Sequence, residues 1–286
     1  MRILLAVDGS ENSYEAVRSL AHLRNPEQVT ILHAIDVPRP AYPTLVPEVT
    51  HELSRQVEAQ MREEGRRLLD RIGTLLPADI DLVAKQVEVG TPWNMIVEIA
   101  HSQRADLIMM GSRGLGAAKA LLFGSVSHRV VSLASCPKLI VNGHVREMRR
   151  ILLPLQGPED TEAAIRFLAL HPFRQPAELT VLTVLPFVPP MWPSAVVAEA
   201  GKAAVFENAR EFVDSVAAQA TGLGYKATGV AAIGLPAPTI LHKAAQDKPD
   251  LIMMGSRRLR GVERFLLGST AHAVLHQAAC PVLVFQ

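Results

Sequence analysis

Three glycines and one aspartate hold most of the chemistry legible in this chain. Asp8 ends a short apolar run, RILLAV, while Gly111, Gly114 and Gly124-Ser125 follow a second run, DLIMM, in the spacing Gly-x2-Gly-x9-Gly-Ser. Glycine lets backbone amides approach a phosphate with no side chain between. A helix opening at Gly124-Ser125 adds amides without internal partners and a dipole that favours an anion. Ser125 offers a hydroxyl donor, and Arg113 offers positive charge to outer phosphates. Asp8 suits phosphate poorly, because both are negative, but a carboxylate accepts well from the two hydroxyls of a ribose. A nucleotide satisfies both halves. The backbone around Ala34 and Ile35, at the end of the next apolar run, is placed to pair with the edge of its base.

These residues can meet only if the elements bring them to one sheet end. RILLAV, VTILHAI, LVAKQVEV, DLIMM and KLIV read as strands, and SYEAVRSLAHL, HELSRQVEAQMREEGRRLLDRIGTLL, WNMIVEIAHSQ and SVSHRVVSLA read as amphipathic helices between them. Strands alternating with helices imply a parallel sheet with right-handed crossovers, covered on both faces. Ligands bind such sheets beyond the carboxyl ends of the strands, where the connection direction reverses. The whole order then repeats from RILLPL onward. Asp106 to Val141 aligns without a gap on Asp250 to Phe285, and half of the positions are identical. The reading is therefore an α/β protein of two tandem domains, 1–142 and 149–286, joined by the linker Gly143 to Arg149.

Composition narrows the function classes. With 286 residues, 49% hydrophobic and 20% charged, the chain has enough apolar surface for two cores and little room for disorder. A net charge of +1 gives no phosphate-tracking surface, so no nucleic acid is expected. No apolar run is long enough to span a membrane, and MRILLAVDGS meets a charge too early for a signal peptide, so the expected location is cytoplasmic. Cys136 and Cys280, one per copy, read as reduced, buried thiols. No Gly-x4-Gly-Lys-Ser/Thr run is present, and Gly114-x-Gly116 fails as a dinucleotide fingerprint because Lys119 takes the third small position. His128 and His272 share one repeat position and read as packing residues, His33 as a satisfied interior side chain, and Met191 and Trp192 as domain packing. Asp8-Gly9-Ser10 also reads as a plain helix-capping turn.

The chain resembles the universal stress proteins, as a tandem two-domain member, over essentially its whole length. The resemblance rests on VDGS, HAID, the long glycine spacing after IMMGSRG, and the ending CPKLIV. It implies a five-stranded parallel sheet with helices on both faces in each domain, and pairing of the two domains within the chain, with room for a homo-oligomer. In ATP-binding members the matching positions put Asp8 on the ribose and the Ala34 backbone on adenine. They put Met110, Gly111, Arg113, Gly114, Gly124, Ser125 and Val126 around the phosphates. The cofactor expected is ATP, with or without magnesium.

The second copy departs from this pattern. Gln156 stands for Asp8, Arg258 for Gly114 and Arg260 for Gly116, so the C-terminal domain is expected to serve as a structural partner or to bind another anion. Three functions stay open: an ATP-binding regulatory protein of the stress response, a slow ATP hydrolase or phosphotransferase, and a nucleotide-free dimerisation scaffold.

Overall fold

The computed structural model describes residues 1–24, 26–37, 47–80, 83–114, 123–186, 195–256 and 267–285. They cluster into two compact units, 1–21 with 25–142, and 22–24 with 143–286.

In the first unit the chain runs β1 (Arg2–Ala6), α1 (Glu11–Ser19), β2 (Gln28–Ile35), α2 (Pro47–Gly73), β3 (Val83–Val89), α3 (Pro92–Ser102), β4 (Leu107–Gly111), α4 (Ser125–Leu133) and β5 (Lys138–Val141). Parallel pairing of β1 with β2 and β4, of β2 with β3, and of β4 with β5 gives the order β3-β2-β1-β4-β5. The sheet thus turns back between β1 and β4. Leu4, Leu5, Leu107, Ile108 and Met109 are wholly buried there, as expected of strands covered on both faces. Pro92 opens α3, with its fixed φ and missing amide suited to the first turn.

The second unit repeats the plan with β6 (Arg150–Pro154), α5 (Pro158–Leu168), β7 (Glu178–Leu185), α6 (Ala195–Gly222), β8 (Lys226–Ile233), α7 (Pro236–Asp247), β9 (Leu251–Gly255), α8 (Ser269–Gln277) and β10 (Val282–Phe285). Its order is β8-β7-β6-β9-β10, again all parallel. Arg2 pairs with Gln28 as Arg150 pairs with Glu178, so β7 lies on β2 with Val184 matching Ala34. Pairing of Val29 with Val83 and of Leu179 with Ala227 brings β8 back to the register read from the glycines. The second copy is therefore longer between its first two strands and shorter between the next two.

In the second unit Tyr225 stands immediately before β8. It is 8% exposed and its hydroxyl donates to Leu168 O at 2.8 Å, and burial pushes its pKa up to about 12. Cys136 and Cys280 are free and half-buried, more open than the sequence reading had them. Burial still pushes the Cys136 thiol up and the Cys280 thiol up to about 11.

Candidate functional site

The end of β1 is built by its own turn. Gly9 adopts φ 83°, the left-handed region that favours glycine, and this lets the chain reverse into α1. Ser10 caps that helix by accepting from Ser13 N. Asp8 Oδ1 accepts from Ser10 N at 3.0 Å and from Ser10 Oγ at 2.6 Å, and the same hydroxyl lies 3.0 Å from Arg113 O. The capping reading of Asp8-Gly9-Ser10 is therefore right as far as it goes. The turn also does more, since Ser10 reaches from the end of β1 to the loop beyond β4.

On the other side of the reversal, Gly111 ends β4 against the first turn of α1. A Cβ there would sit 2.8 Å from Asn12 C, Asn12 Cβ and Ser13 N, so no other residue fits without moving that helix. Asn12 Nδ2 donates to Ser112 Oγ at 3.1 Å. Ser112 O accepts from Gly124 N and from Ser127 Oγ, both at 2.8 Å, which folds the start of α4 onto the end of β4. The Gly124 amide is thus spent within the protein. Ser125, Val126 and Ser127 form the first turn of α4, whose amides a helix leaves without internal partners. Gly114 faces Asp8: a Cβ at Gly114 would collide with Asp8 Oδ2.

These segments enclose one cavity of about 690 Å³. Its lining includes Asp8, Ala34, Met110, Gly111, Arg113, Gly114, Gly124, Ser125 and Val126, the nine positions expected around a nucleotide, together with Leu32, Pro92, Ile96 and Phe123, while Ile35 is not part of it. The volume falls in the range of small-molecule sites, roughly 300 to 1,000 Å³. Apolar walls lie toward β2 and α3, and the polar groups gather at β1, β4 and α4. His33 borders the cavity and its Nδ1 lies 2.8 Å from Val7 O, so it is satisfied by the backbone. Sequence reasoning missed Asn12, Ser112 and Ser127. Their signal was faint, because serine and asparagine near a helix start read first as caps. Gly116, Lys119, Met191, Trp192, Arg257, Arg258 and Arg260 lie outside the described residues. Among the described residues, no group of three His, Cys, Asp or Glu side chains is placed to hold a metal ion.

The corresponding place in the second unit holds a smaller cavity, about 60 Å³, lined by Gln156, Asp160, Leu182, Val184, Gly255, Ser269 and Thr270 among others. Val184 adds two methyl groups where the first unit has Ala34. Gly157 is extended at φ 178° and α5 starts at Pro158, one residue earlier than its counterpart. Asp160, matching Asn12, accepts from Gln156 N at 3.1 Å. Its Oδ1 would collide with a Cβ on Gly255. Asp160 and Val184 are departures beyond the glycine pattern, and both narrow this cavity.

The universal stress protein family matches residues 1–142 and again 147–286. The chain belongs to that family. A universal stress protein of Methanocaldococcus jannaschii is 30% identical over 148 residues, 51% of this chain and 84% of its own. One from Mycobacterium tuberculosis is 26% identical over 300 residues, 99% of this chain and 96% of its own, and so shares the full length. The crystal structure of a universal stress protein from Archaeoglobus fulgidus superposes with a TM-score of 0.69 at 21% identity, covering 100% of this chain and 98% of that one, which shows the shared fold. Among the described residues, no helix is long and apolar enough to cross a membrane.

Proposed function

We propose that this chain binds one adenine nucleotide, ATP in the first instance, in its N-terminal unit, and acts as a regulatory protein of the stress response in the cytoplasm. Nucleotide occupancy changes loop order, pairing of the two domains within the chain, or contact with a partner. The observation that carries this reading is the cavity at the sheet reversal, lined by all nine residues expected around a nucleotide. Asp8 would accept from the ribose hydroxyls. The Ala34 backbone and the apolar wall of Leu32 and Ile96 would take the base. Gly111, Arg113 and Gly114 with the first turn of α4 would hold the phosphates. What the nucleotide supplies when bound is a charged, flexible chain long enough to bridge β1, β4 and α4.

Turnover asks for more than binding. Phosphoryl transfer needs a base or water-positioning group beside the terminal phosphate. Asp8 is the one acidic residue among the described residues lining the cavity, and it is engaged by Ser10. This supports a binding role with slow hydrolysis at most.

The test is to denature purified full-length protein, identify the released small molecules by mass spectrometry, and measure stoichiometry by calorimetry. One adenine nucleotide per chain is expected. Two per chain would overturn the assignment to the N-terminal unit. None, even after incubation with excess ATP, would leave the nucleotide-free scaffold.

A further inference from the structure

We propose that the outer edge of β8, with the exposed pair Ile233 and Leu235 at its end, is an interaction surface that pairs with the same strand of a second copy of this chain. The two units guard their outermost strands differently. In the first unit β3 carries Lys85, Gln86 and Glu88, and α2 reaches over it: Arg62 Nη1 donates to Val87 O at 3.2 Å, and Lys85 Nζ lies 2.8 Å from Asp70 Oδ1. Charges along a strand and a covered carbonyl keep an edge from pairing with another chain. In the second unit β8 reads KATGVAAI, with Lys226 at its first residue held by Glu178 Oε1 at 2.9 Å and no charge after it. The strand pairs with β7, and among the described residues no side chain bonds to its backbone. Asp214 of α6 overlies Gly229 where a Cβ would point, which is a face of the strand and not its edge.

The end of the strand adds apolar surface. Ile233 is 56% and Leu235 69% exposed, the two most exposed large apolar side chains among the described residues, where the first unit has a half-buried Val89 and Thr91. An edge strand presents a row of amides and carbonyls, so the partner that fits is another extended backbone. This edge has no charge with which to select a foreign sequence, whereas a second β8 brings the same neutral row. Two copies related by a two-fold axis through mid-strand pair antiparallel, the isologous arrangement of most dimers. Lys226 of one copy then lies toward the far end of the other strand, where Ile233 and Leu235 stand, so no two like charges oppose each other. The apolar stem of the lysine can lie along that pair. One strand and a small patch make a limited interface, which belongs to a weak, reversible dimer.

The experiment follows the mass of the full chain by sedimentation from about 5 to about 200 µM, a range in which a weak dimer forms by mass action. Wild type should pass reversibly from monomer to dimer. Thr228 is exposed on the same strand, so Thr228→Lys and Thr228→Glu each add a charge there without touching the core. Each variant alone should weaken the dimer roughly fivefold or more. Mixed in equal amounts, the two should associate at least about threefold more tightly than either alone, which a change in folding would not produce. Leu235→Asp should weaken the dimer as well, and Gln86→Lys on β3 should leave it unchanged. Thermal melts of every variant run alongside; if one Thr228 variant folds poorly, Leu235→Asp decides. A wild type that stays monomeric at the highest concentration overturns the proposal, and so does a dimer that none of the β8 variants weakens. Weakening by both Thr228 variants with no gain on mixing overturns it too.

Discussion

Asp8 both holds the turn after β1 and lines the cavity, and its sequence position shows these placements only one at a time. Its Oδ1 holds the turn through Ser10 N and Ser10 Oγ, and its Oδ2 faces Gly114. Asp8→Ala therefore removes a turn bond and the acceptor assigned to the ribose. Hydrogen bonds to a charged group contribute about 1.5 to 3 kcal/mol, so ATP and ADP should each weaken by roughly ten- to a hundredfold, and by the same factor. Calorimetry with both ligands checks this. A loss confined to ATP would move Asp8 from the ribose to the terminal phosphate. The neighbouring residues show where reading from sequence stops. The glycines were legible because few other roles call for that spacing. Asn12, Ser112 and Ser127 were not, because their work depends on which strand end lies opposite, and only the packing of α1 on Gly111 supplies that.

Periodicity and proline placement were enough to read the elements themselves. RILLAV, DLIMM and KLIV form strands, and Pro92 starts its helix at the expected residue. Register was harder. Val184 could be matched with Ala34 only from strand pairing, because a loop insertion in the second copy shifts β7 against the frame set by Arg2 and Arg150. The elements also set thiol reactivity. Both cysteines stand just before the prolines that lead into β5 and β10, and burial raises each pKa, that of Cys280 from 9.0 to about 11. At pH 8 the Cys280 thiolate should be about a hundredfold scarcer than in the unfolded chain, so native alkylation should be slow and should speed up in urea. The same shift bears on stability. A raised thiol pKa contributes stability that is full below the unfolded value of 9.0 and is lost as pH climbs toward 11. Mass-resolved alkylation and urea midpoints at pH 8, 9 and 10.5 check both statements.

Across the whole molecule, the two copies keep one plan and differ where a ligand would sit. The cavity is about 690 Å³ in the first unit and about 60 Å³ in the second. If only the first is a nucleotide site, a single substitution should empty the entire chain. Gly114→Arg would force the Asp8 carboxylate aside and fill the phosphate end, while leaving the buried strands untouched. Nucleotide content should drop from one per chain to none, with the thermal midpoint of the ligand-free protein changed little. Retained nucleotide in that variant would point to the second unit. The two turns that open the units also differ in what they can become. Gly9 needs its left-handed φ of 83°, whereas Gly157 is extended at 178°, a shape open to every amino acid. Position 9 is closed to drift, while position 157 can accept replacements at little backbone cost. Over generations the copies should therefore diverge unevenly, with the N-terminal turn fixed in place and the C-terminal turn free to acquire new side chains.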